Sequence, residues 1–214
     1  MDVIEAHDRA ANQYDRQAGE WGWNPEVFFG LMWAYALPGK HLLDAGIGTG
    51  LCSEPFFKAG VKISGFDGSE KMLRLCREKR ISGDLKAHGI EDLPWPYEDA
   101  SFDLVIAGGV LHFFDSLEPI FQEAGRVLKA KGVFGFTTAV LGERDLEKMG
   151  LPADAPYARV LDEASGVYIY KHGETYIQRL LGTLGMSMHK KLIFLASCNP
   201  QTGAEHYNTL FVAR

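Results

Sequence analysis

The stretch 42–50 constrains this chain most, because it joins an apolar pair to a turn with three alternating glycines. The pair predicts the end of a buried strand, Asp44 follows it, and glycine then occupies every second position. Glycine accepts positive φ angles and has no Cβ, so the backbone of such a turn can approach a ligand closely. Residues 51–59 are predicted to form a helix whose free N–H groups face the turn. We therefore expect a site for a nucleotide-like ligand here.

The spacing of these glycines differs from two common nucleotide-binding motifs. Dinucleotide sites for hydride transfer need G-x-G-x-x-G, whereas the third glycine here, Gly50, comes one residue early and Leu51 stands where glycine is needed. A phosphate loop needs a lysine directly after its last glycine, and none follows Gly50. The alternative to a ligand site is a tight strand-to-helix connection with no binding role.

Composition narrows the class of protein. A chain of 214 residues with 46% apolar residues can bury one sizeable core. The net charge of −6 argues against a broad nucleic-acid surface, which usually carries a basic excess. Cys52, Cys76 and Cys198 are odd in number and far apart, so neither a disulfide framework nor a metal site is expected. No apolar run reaches membrane-spanning length and the first residues lack a signal-peptide pattern, so we expect a cytoplasmic protein without membrane partners.

Strand and helix signals alternate from residue 41 to 140, which predicts an α/β fold with a doubly wound, mostly parallel sheet. A final helix followed by two adjacent strands departs from this alternation and predicts an antiparallel edge strand. We expect one domain, 1–214, with an N-terminal helical lid or cap at 1–38 and a cofactor-binding core at 41–140. A charged insertion on the substrate side, 141–172, and a C-terminal helix with strands, 173–214, complete it.

Two polar residues are predicted at the junction between the second strand and the helix that follows it. Asp67 closes the second strand, where an acid in nucleotide-binding sheets accepts hydrogen bonds from ribose hydroxyls; capping the next helix is the alternative. Ser69 is predicted to cap that helix. Farther along, Asp115 followed by Glu118 predicts a variant of the capping box.

Four later stretches, together with the glycine turn, resemble the class I S-adenosylmethionine-dependent methyltransferases of the small-molecule type. They are Glu91-Asp92-Leu93-Pro94-Trp95-Pro96, Ser101-Phe102-Asp103-Leu104-Val105, Val110-Leu111-His112 and Glu123-Ala124-Gly125-Arg126-Val127-Leu128-Lys129. The resemblance covers about residues 41–140. It implies a seven-stranded sheet whose last strand is antiparallel, with S-adenosyl-L-methionine across the carboxyl ends of the strands. The implied reaction is methyl transfer to a small-molecule acceptor by in-line displacement.

The same resemblance implies which residues contact the cofactor. The predicted set is Tyr14, Asp44, Ala45, Gly46, Ile47, Gly48, Gly50, Asp67, Gly68, Met72, Gly89, Ile90 and Gly108. Within it, Met72 lies against the adenine and Ile90 supplies a backbone contact. In the family an acid often precedes the position of Ile90 and binds the adenine amino group. This chain has Gly89 there, and whether Glu91 or Asp92 takes over that contact stays open.

The acceptor side is less specific in the sequence. His112 would lie beside the reactive sulfonium, either as a general base or as a pocket wall. The polar candidates for acceptor binding are His112, Tyr157, Arg159, Tyr168 and His172, with Arg159 meeting an anionic group. Tyr14, in a segment 1–24 that precedes the sheet, is predicted to close over the cofactor; static packing is the alternative. Two other functions remain open: a regulatory module that binds the cofactor without turnover, and a methyltransferase acting on protein or RNA.

Overall fold

The computed structural model describes residue 8 and residues 11–162 and 167–214. Residues 1–7, 9 and 10 of the predicted lid and 163–166 of the insertion lie outside this description. The described residues form seven α-helices. They are α1 Tyr14–Glu20, α2 Glu26–Met32, α3 Glu54–Lys58, α4 Glu70–Lys79, α5 Glu118–Val127, α6 Glu143–Met149 and α7 Glu174–Thr183.

Nine β-strands form a mixed sheet with helices packed on both faces. They are β1 His41–Ala45, β2 Lys62–Asp67, β3 Asp84–Ala87, β4 Phe102–Ala107, β5 Leu128–Val140, β6 Tyr157–Asp162, β7 Val167–His172, β8 Met188–Cys198 and β9 Glu205–Ala213. The first five are parallel in the order β3-β2-β1-β4-β5. The predicted fold class, a doubly wound and mostly parallel sheet, is confirmed.

The antiparallel strand is the last one in the chain, β9, which pairs with β5 over residues 134–138. It does not form the edge of the sheet, because β8 pairs antiparallel with its outer side. The predicted pair of adjacent strands with an antiparallel member is present on this side of the sheet, and its outermost strand is β8.

A hairpin of β6 and β7 adds two strands beyond the seven expected. Its second strand pairs with β5 at residues 139 and 140, just beyond the part of β5 that β9 occupies. The charged insertion 141–172 therefore contains a short helix, α6, as well as this hairpin. The strands were missed because most of their side chains are exposed or half-buried, so the apolar alternation that marks a strand is weak.

Of the two predicted helix caps, one is confirmed and one is wrong. The Ser69 hydroxyl accepts a hydrogen bond from the Met72 N–H at 3.1 Å and caps α4. Asp115 does not cap α5, because its carboxylate accepts from the neighbouring Ser116 N–H at 2.6 Å. Helix α5 starts later, after the buried Leu117, whose N–H donates to the Tyr176 hydroxyl at 2.9 Å.

Two apolar layers hold the sheet between its helices. One contains Phe121 from α5 and Ile177 from α7 against the middle of β5; the other contains Phe28 from α2 and Phe56 from α3 against β1 and β4. Each fully buried side chain of this size contributes about 1.5–3 kcal/mol relative to leaving it exposed. Because these layers fix the parallel strands, the carboxyl ends of β1 to β4 meet along one border of the sheet.

Candidate functional site

A cavity of about 280 Å³ lies along the carboxyl ends of β1, β2, β3 and β4. This is where ligands bind in open α/β sheets. Its walls come from the turns after these strands, from α1 and from the start of α4. The lining residues are Tyr14, Gly46, Gly48, Asp67, Gly68, Ser69, Met72, Gly89, Ile90, Glu91, Asp92, Gly108, Gly109, Val110, Phe113 and Phe114.

The glycine turn contains two different kinds of glycine. Gly48 has φ of 54°, and a Cβ built on it would meet nothing within 4 Å, so its backbone faces open space. Gly50 has φ of 84°, and a Cβ there would clash with the side chain of Ile81. The first glycine leaves room for a ligand, whereas the second is required by the packing beneath the turn.

The Asp67 carboxylate ties the glycine turn to the end of β2. One of its oxygens accepts from the Gly48 N–H at 2.9 Å, and the other accepts from the Ser69 N–H at 2.8 Å. Asp67 also lines the cavity, where a carboxylate can accept hydrogen bonds from ribose hydroxyls. The alternative role, capping of the next helix, belongs to Ser69, whereas Asp67 fixes the turn before it. Its predicted ribose contact stays a prediction.

Asp44 lies beneath the turn rather than on the main cavity. It is 2% exposed, and the Ser53 hydroxyl donates to its carboxylate at 2.7 Å. Burial raises the pKa of this carboxyl to about 7. With Ile47 it lines a smaller cavity of about 40 Å³ on the other side of the turn.

The structure brings most of the predicted cofactor residues together. Nine line the main cavity: Tyr14, Gly46, Gly48, Asp67, Gly68, Met72, Gly89, Ile90 and Gly108. Asp44 and Ile47 line the smaller one. Ala45 and Gly50 line neither: Ala45 is buried in the core, and Gly50 packs against Ile81 and Cys76. For these two positions the structure indicates packing roles.

The N-terminal helix α1 is held over the glycine turn by polar contacts. Asp15 accepts from the Thr49 hydroxyl at 2.5 Å and forms an ion pair with Lys79 at 2.6 Å. Asp8 accepts from the Ser69 hydroxyl at 2.5 Å. These contacts place Tyr14 in the walls of both cavities, where burial raises the pKa of its phenol and keeps it protonated.

His172, a predicted acceptor contact, is fully buried behind the cavity wall. Its Nε2 faces the carbonyl oxygen of Phe114 at 2.9 Å, and its Nδ1 faces the Thr138 hydroxyl at 2.7 Å. A carbonyl only accepts, so Nε2 carries the proton and Nδ1 accepts from the hydroxyl. Burial lowers the pKa of this imidazole to about 4. His172 therefore fixes the backbone of Phe114, which lines the cavity.

The other predicted acceptor residues also lie outside the cavity lining. Arg159 is exposed, with its guanidinium 4.5 Å from the centre of the Tyr168 ring. Tyr157 packs edge-on against Tyr170 on the same hairpin. The His112 ring lies 4.2 Å from the ring of Phe113. The predicted acceptor contacts of these side chains stay predictions.

Sequence reasoning missed two groups of residues near the site. Ser69, Gly109 and Val110 line the cavity, and their closeness to Asp67 and Gly108 in the chain was the available signal. His206 donates from Nδ1 to Asp162 at 3.0 Å and lies 6.1 Å from the His112 ring, measured between ring centres. No local pattern indicates the pair of Asp162 and His206, because these residues lie in β6 and β9, 44 positions apart in the chain.

The cavity fits a nucleoside joined to a charged chain. Asp67 offers acceptors for ribose hydroxyls, and the buried Met72 and Ile90 provide apolar surfaces suited to a flat base. At the opposite end, Gly108 and Gly109 expose backbone, and Phe113, Phe114 and Tyr14 contribute aromatic rings, which favour a cation. An α/β fold with these groups defines a nucleoside-binding protein of the Rossmann-like class.

Comparison with known proteins specifies the class further. Residues 43–136 match the family described as "Methyltransferase domain". A malonyl-[acyl-carrier protein] O-methyltransferase of Serratia marcescens is 30% identical over 148 residues, which are 69% of this chain and 56% of that protein. A demethylmenaquinone methyltransferase of Renibacterium salmoninarum is 34% identical over 97 residues, 45% of this chain and 40% of that protein. The chain spans about half the length of the curated relatives it matches.

Solved structures agree in fold. The 1,6-didemethyltoxoflavin-N1-methyltransferase of Burkholderia thailandensis, solved with that compound and S-adenosylhomocysteine, has a TM-score of 0.67 at 16% identity, covering 99% of this chain and 87% of that one. Over residues 43–136 the chain is similar to the class I S-adenosylmethionine-dependent methyltransferases, as the motifs predicted. These similarities support methyl transfer as the activity and S-adenosyl-L-methionine as the cofactor.

Proposed function

We propose that the protein transfers the methyl group of S-adenosyl-L-methionine to a small-molecule acceptor by in-line displacement. We further propose that the accepting atom arrives without a proton, as in a carboxylate. When bound, the cofactor supplies a methyl group on a positively charged sulfur, so the leaving group is already activated. The chain then has to align the acceptor and exclude water.

The composition of one end of the cavity carries this proposal. Around Gly108, the described lining residues are glycines, Val110, Phe113, Phe114 and Tyr14. Tyr14 is the one titratable side chain among them, and the raised pKa of its phenol keeps it from acting as a base near neutral pH. The described carboxylates of the lining, Asp67, Glu91 and Asp92, belong to the turns after β2 and β3. An acceptor that needs no base suits such a site.

The names of two similar proteins indicate which acceptors to test first. The Serratia protein is an O-methyltransferase of malonyl-[acyl-carrier protein], and a malonyl group presents a carboxylate. A magnesium protoporphyrin IX methyltransferase of Synechocystis, solved with bound S-adenosylmethionine, has a TM-score of 0.58 at 20% identity, covering all of this chain and 84% of that one. These names support testing carboxylates, free and thioester-linked, before amines and phenols.

The test has two stages on the purified chain. Calorimetry should give micromolar binding of S-adenosylhomocysteine, about −8 kcal/mol, and no binding of NAD. Formation of S-adenosylhomocysteine is then measured by mass spectrometry with a panel of carboxylates, malonyl thioesters, phenols and amines. Binding without turnover on any acceptor favours a regulatory module, and turnover only with RNA or protein contradicts the small-molecule proposal.

The pH profile tests the absence of a base. With a carboxylate acceptor, kcat should stay flat between about pH 6 and 9, because the nucleophile is ionised throughout. A rise with pH that disappears in His112→Gln would instead assign His112 as the general base.

A further inference from the structure

The hairpin of β6 and β7 is attached to the rest of the protein at two opposite ends. At one end its backbone pairs with residues 139 and 140 of β5, next to His172. Beside this attachment, Lys171 forms an ion pair with Asp145 of α6 at 2.9 Å. Asp162 lies at the other end, five residue pairs away from His172. Five residues of a strand span about 17 Å, so the backbone pairing with β5 does not fix this far end.

The far end is attached through the side chains of Asp162 and His206. Nδ1 of His206, near the start of β9, lies 3.0 Å from a carboxylate oxygen of Asp162. The His206 side chain is 12% exposed and that of Asp162 is 10% exposed, so solvent and salt screen their interaction little. On the other side of the ring, Nε2 lies 3.1 Å from Oδ1 of the buried Asn208. His206 is thus held between an acceptor from the hairpin and an acceptor from β9.

A positively charged ring satisfies both of these acceptors at once. An ionised carboxylate accepts hydrogen bonds without donating, and the amide oxygen of Asn208 also only accepts. Imidazolium carries two N–H groups, whereas neutral imidazole carries one. When His206 loses its proton, one of the two contacts loses its hydrogen and the bond to Asp162 is no longer assisted by a positive charge.

We propose that Asp162, His206 and Asn208 form a proton-dependent latch, which holds the far end of the hairpin to β9 when His206 is protonated and releases it when the ring is neutral. Because histidine changes its charge between about pH 5 and 8, the hairpin is held more firmly at pH 6 than at pH 8.5. The latch sets the position of Arg159 and Tyr168, two predicted acceptor contacts on the same hairpin. It is independent of which acceptor the protein uses.

Other titratable groups lie near the latch and have to be separated from it. The His112 ring, in the turn after β4, lies 6.1 Å from the His206 ring, measured between ring centres. His172, at the fixed end of the hairpin, has its pKa lowered to about 4 by burial, so it stays neutral above pH 6. The titratable neighbours on the paired strands β8 and β9 are Glu205, Tyr207 and Cys198. His112 is the neighbour whose charge changes in the same way as that of His206, so His112→Gln belongs in the test.

The test measures amide hydrogen exchange of the full chain at pH 6 and pH 8.5, with rates corrected for the intrinsic pH dependence of exchange. In the wild type, protection of residues 157–162 and 167–172 should fall about 10-fold at the higher pH, the effect of losing a hydrogen bond to a charged group. Asp162→Asn and His206→Gln should show low protection at both pH values. Protection of β1 in the same samples reports on global stability and is the internal reference.

Two further variants make the result specific to the latch. Asp145→Asn breaks the ion pair with Lys171 at the fixed end of the hairpin. Lysine keeps its charge over this pH range, so the fall in protection with pH should remain in this matched control. Asn208→Asp places a second carboxylate against Nε2 of His206, which favours the charged ring, so protection should persist at pH 8.5.

Two results would overturn the proposal. Equal protection of the wild-type hairpin at pH 6 and pH 8.5 would mean that a neutral ring holds it as well as a charged one. A fall in protection that persists in Asp162→Asn and His206→Gln but disappears in His112→Gln would assign the pH dependence to His112. The measurement needs no acceptor, so a chain that binds S-adenosylhomocysteine yet methylates no small molecule refutes the proposed function and leaves the latch standing on the exchange data.

Discussion

The two ends of the cavity are built by different means. At the end formed by the turns after β1, β2 and β3, neighbours in the chain supply the contacts: Asp67 binds the glycine turn and its own next turn, and Asp92 binds Gly89. At the end near Gly108, distant elements supply them: His172 of β7 holds Phe114, 58 residues away. The first end depends on backbone geometry and the second on side chains brought together by the fold.

This difference indicates which parts of a site can be predicted from sequence motifs. A turn that shapes a backbone must place glycine and acid at fixed short spacings, so its pattern is visible in the chain. The turn after β4, which is held from behind by His172 of β7 and by Thr137 of β5, requires no such spacing. The variants below test whether the two ends respond as this comparison implies.

The largest effect is expected from His172, which supports the end of the cavity near Gly108. Because burial lowers the pKa of His172 from 6.5 to about 4, the unfolded chain binds a proton between these values that the folded chain does not. The neutral His172 therefore contributes its full stabilisation above pH 6.5. As the pH falls toward 4, the free energy of unfolding decreases by roughly 3 kcal/mol at most.

The measurement is urea unfolding of wild type and His172→Gln at several pH values from 7 to 4. Buried Asp44 has the opposite pH dependence, since its pKa is raised to about 7, so the difference between the two proteins is the informative quantity. Wild type should lose more stability than the variant on acidification. Exposed His189→Gln is the control, and an equal loss in wild type and His172→Gln would refute the assignment.

At the end formed by the turns after β1, β2 and β3, Asp67→Ala should weaken the binding of S-adenosylhomocysteine by about 10- to 100-fold, because ribose hydroxyls lose a charged acceptor. Asp103→Ala is the matched control: this carboxylate binds Lys40, Lys129 and the His41 N–H near the start of β4, at the opposite border of the sheet. It should cost stability without changing affinity. If Asp67→Ala changes stability alone, the carboxylate only builds the turn.

The N-terminal helix spans both ends, and its predicted role as a lid stays a prediction. Asp15→Ala removes the bonds to Thr49 and Lys79, so amide exchange in 14–20 should accelerate and S-adenosylhomocysteine should bind roughly fivefold more weakly, about 1 kcal/mol. Glu20→Ala, on the exposed part of the same helix, should change neither. In wild type, exchange that is equally slow with and without ligand would mean static packing.

The smallest effect is expected from Arg159 on the outer face of the hairpin. Its guanidinium lies over Tyr168, outside the cavity lining, so an anionic acceptor would meet it in a solvated setting. Such exposed pairs contribute about 0–1 kcal/mol. Arg159→Ala should raise KM for an anionic acceptor by a few-fold and leave kcat unchanged. Arg179→Ala, another exposed arginine facing a tyrosine ring, is the control; identical kinetics in all three proteins would remove Arg159 from the acceptor site.

The sequence alone determined the sheet class, the parallel core strands and the cavity lining at the turns after β1, β2 and β3, because periodicity and glycine spacing are local requirements of the backbone. Gly48 and Asp67 follow from such local rules, as does the Ser69 cap. The tertiary structure decided the rest. It placed β8 outside β9, formed the β6–β7 hairpin, and buried His172 behind the cavity that it had been expected to line. Those outcomes depend on which distant surfaces pack together. The sequence around a histidine does not show whether its side chain is buried or faces a ligand.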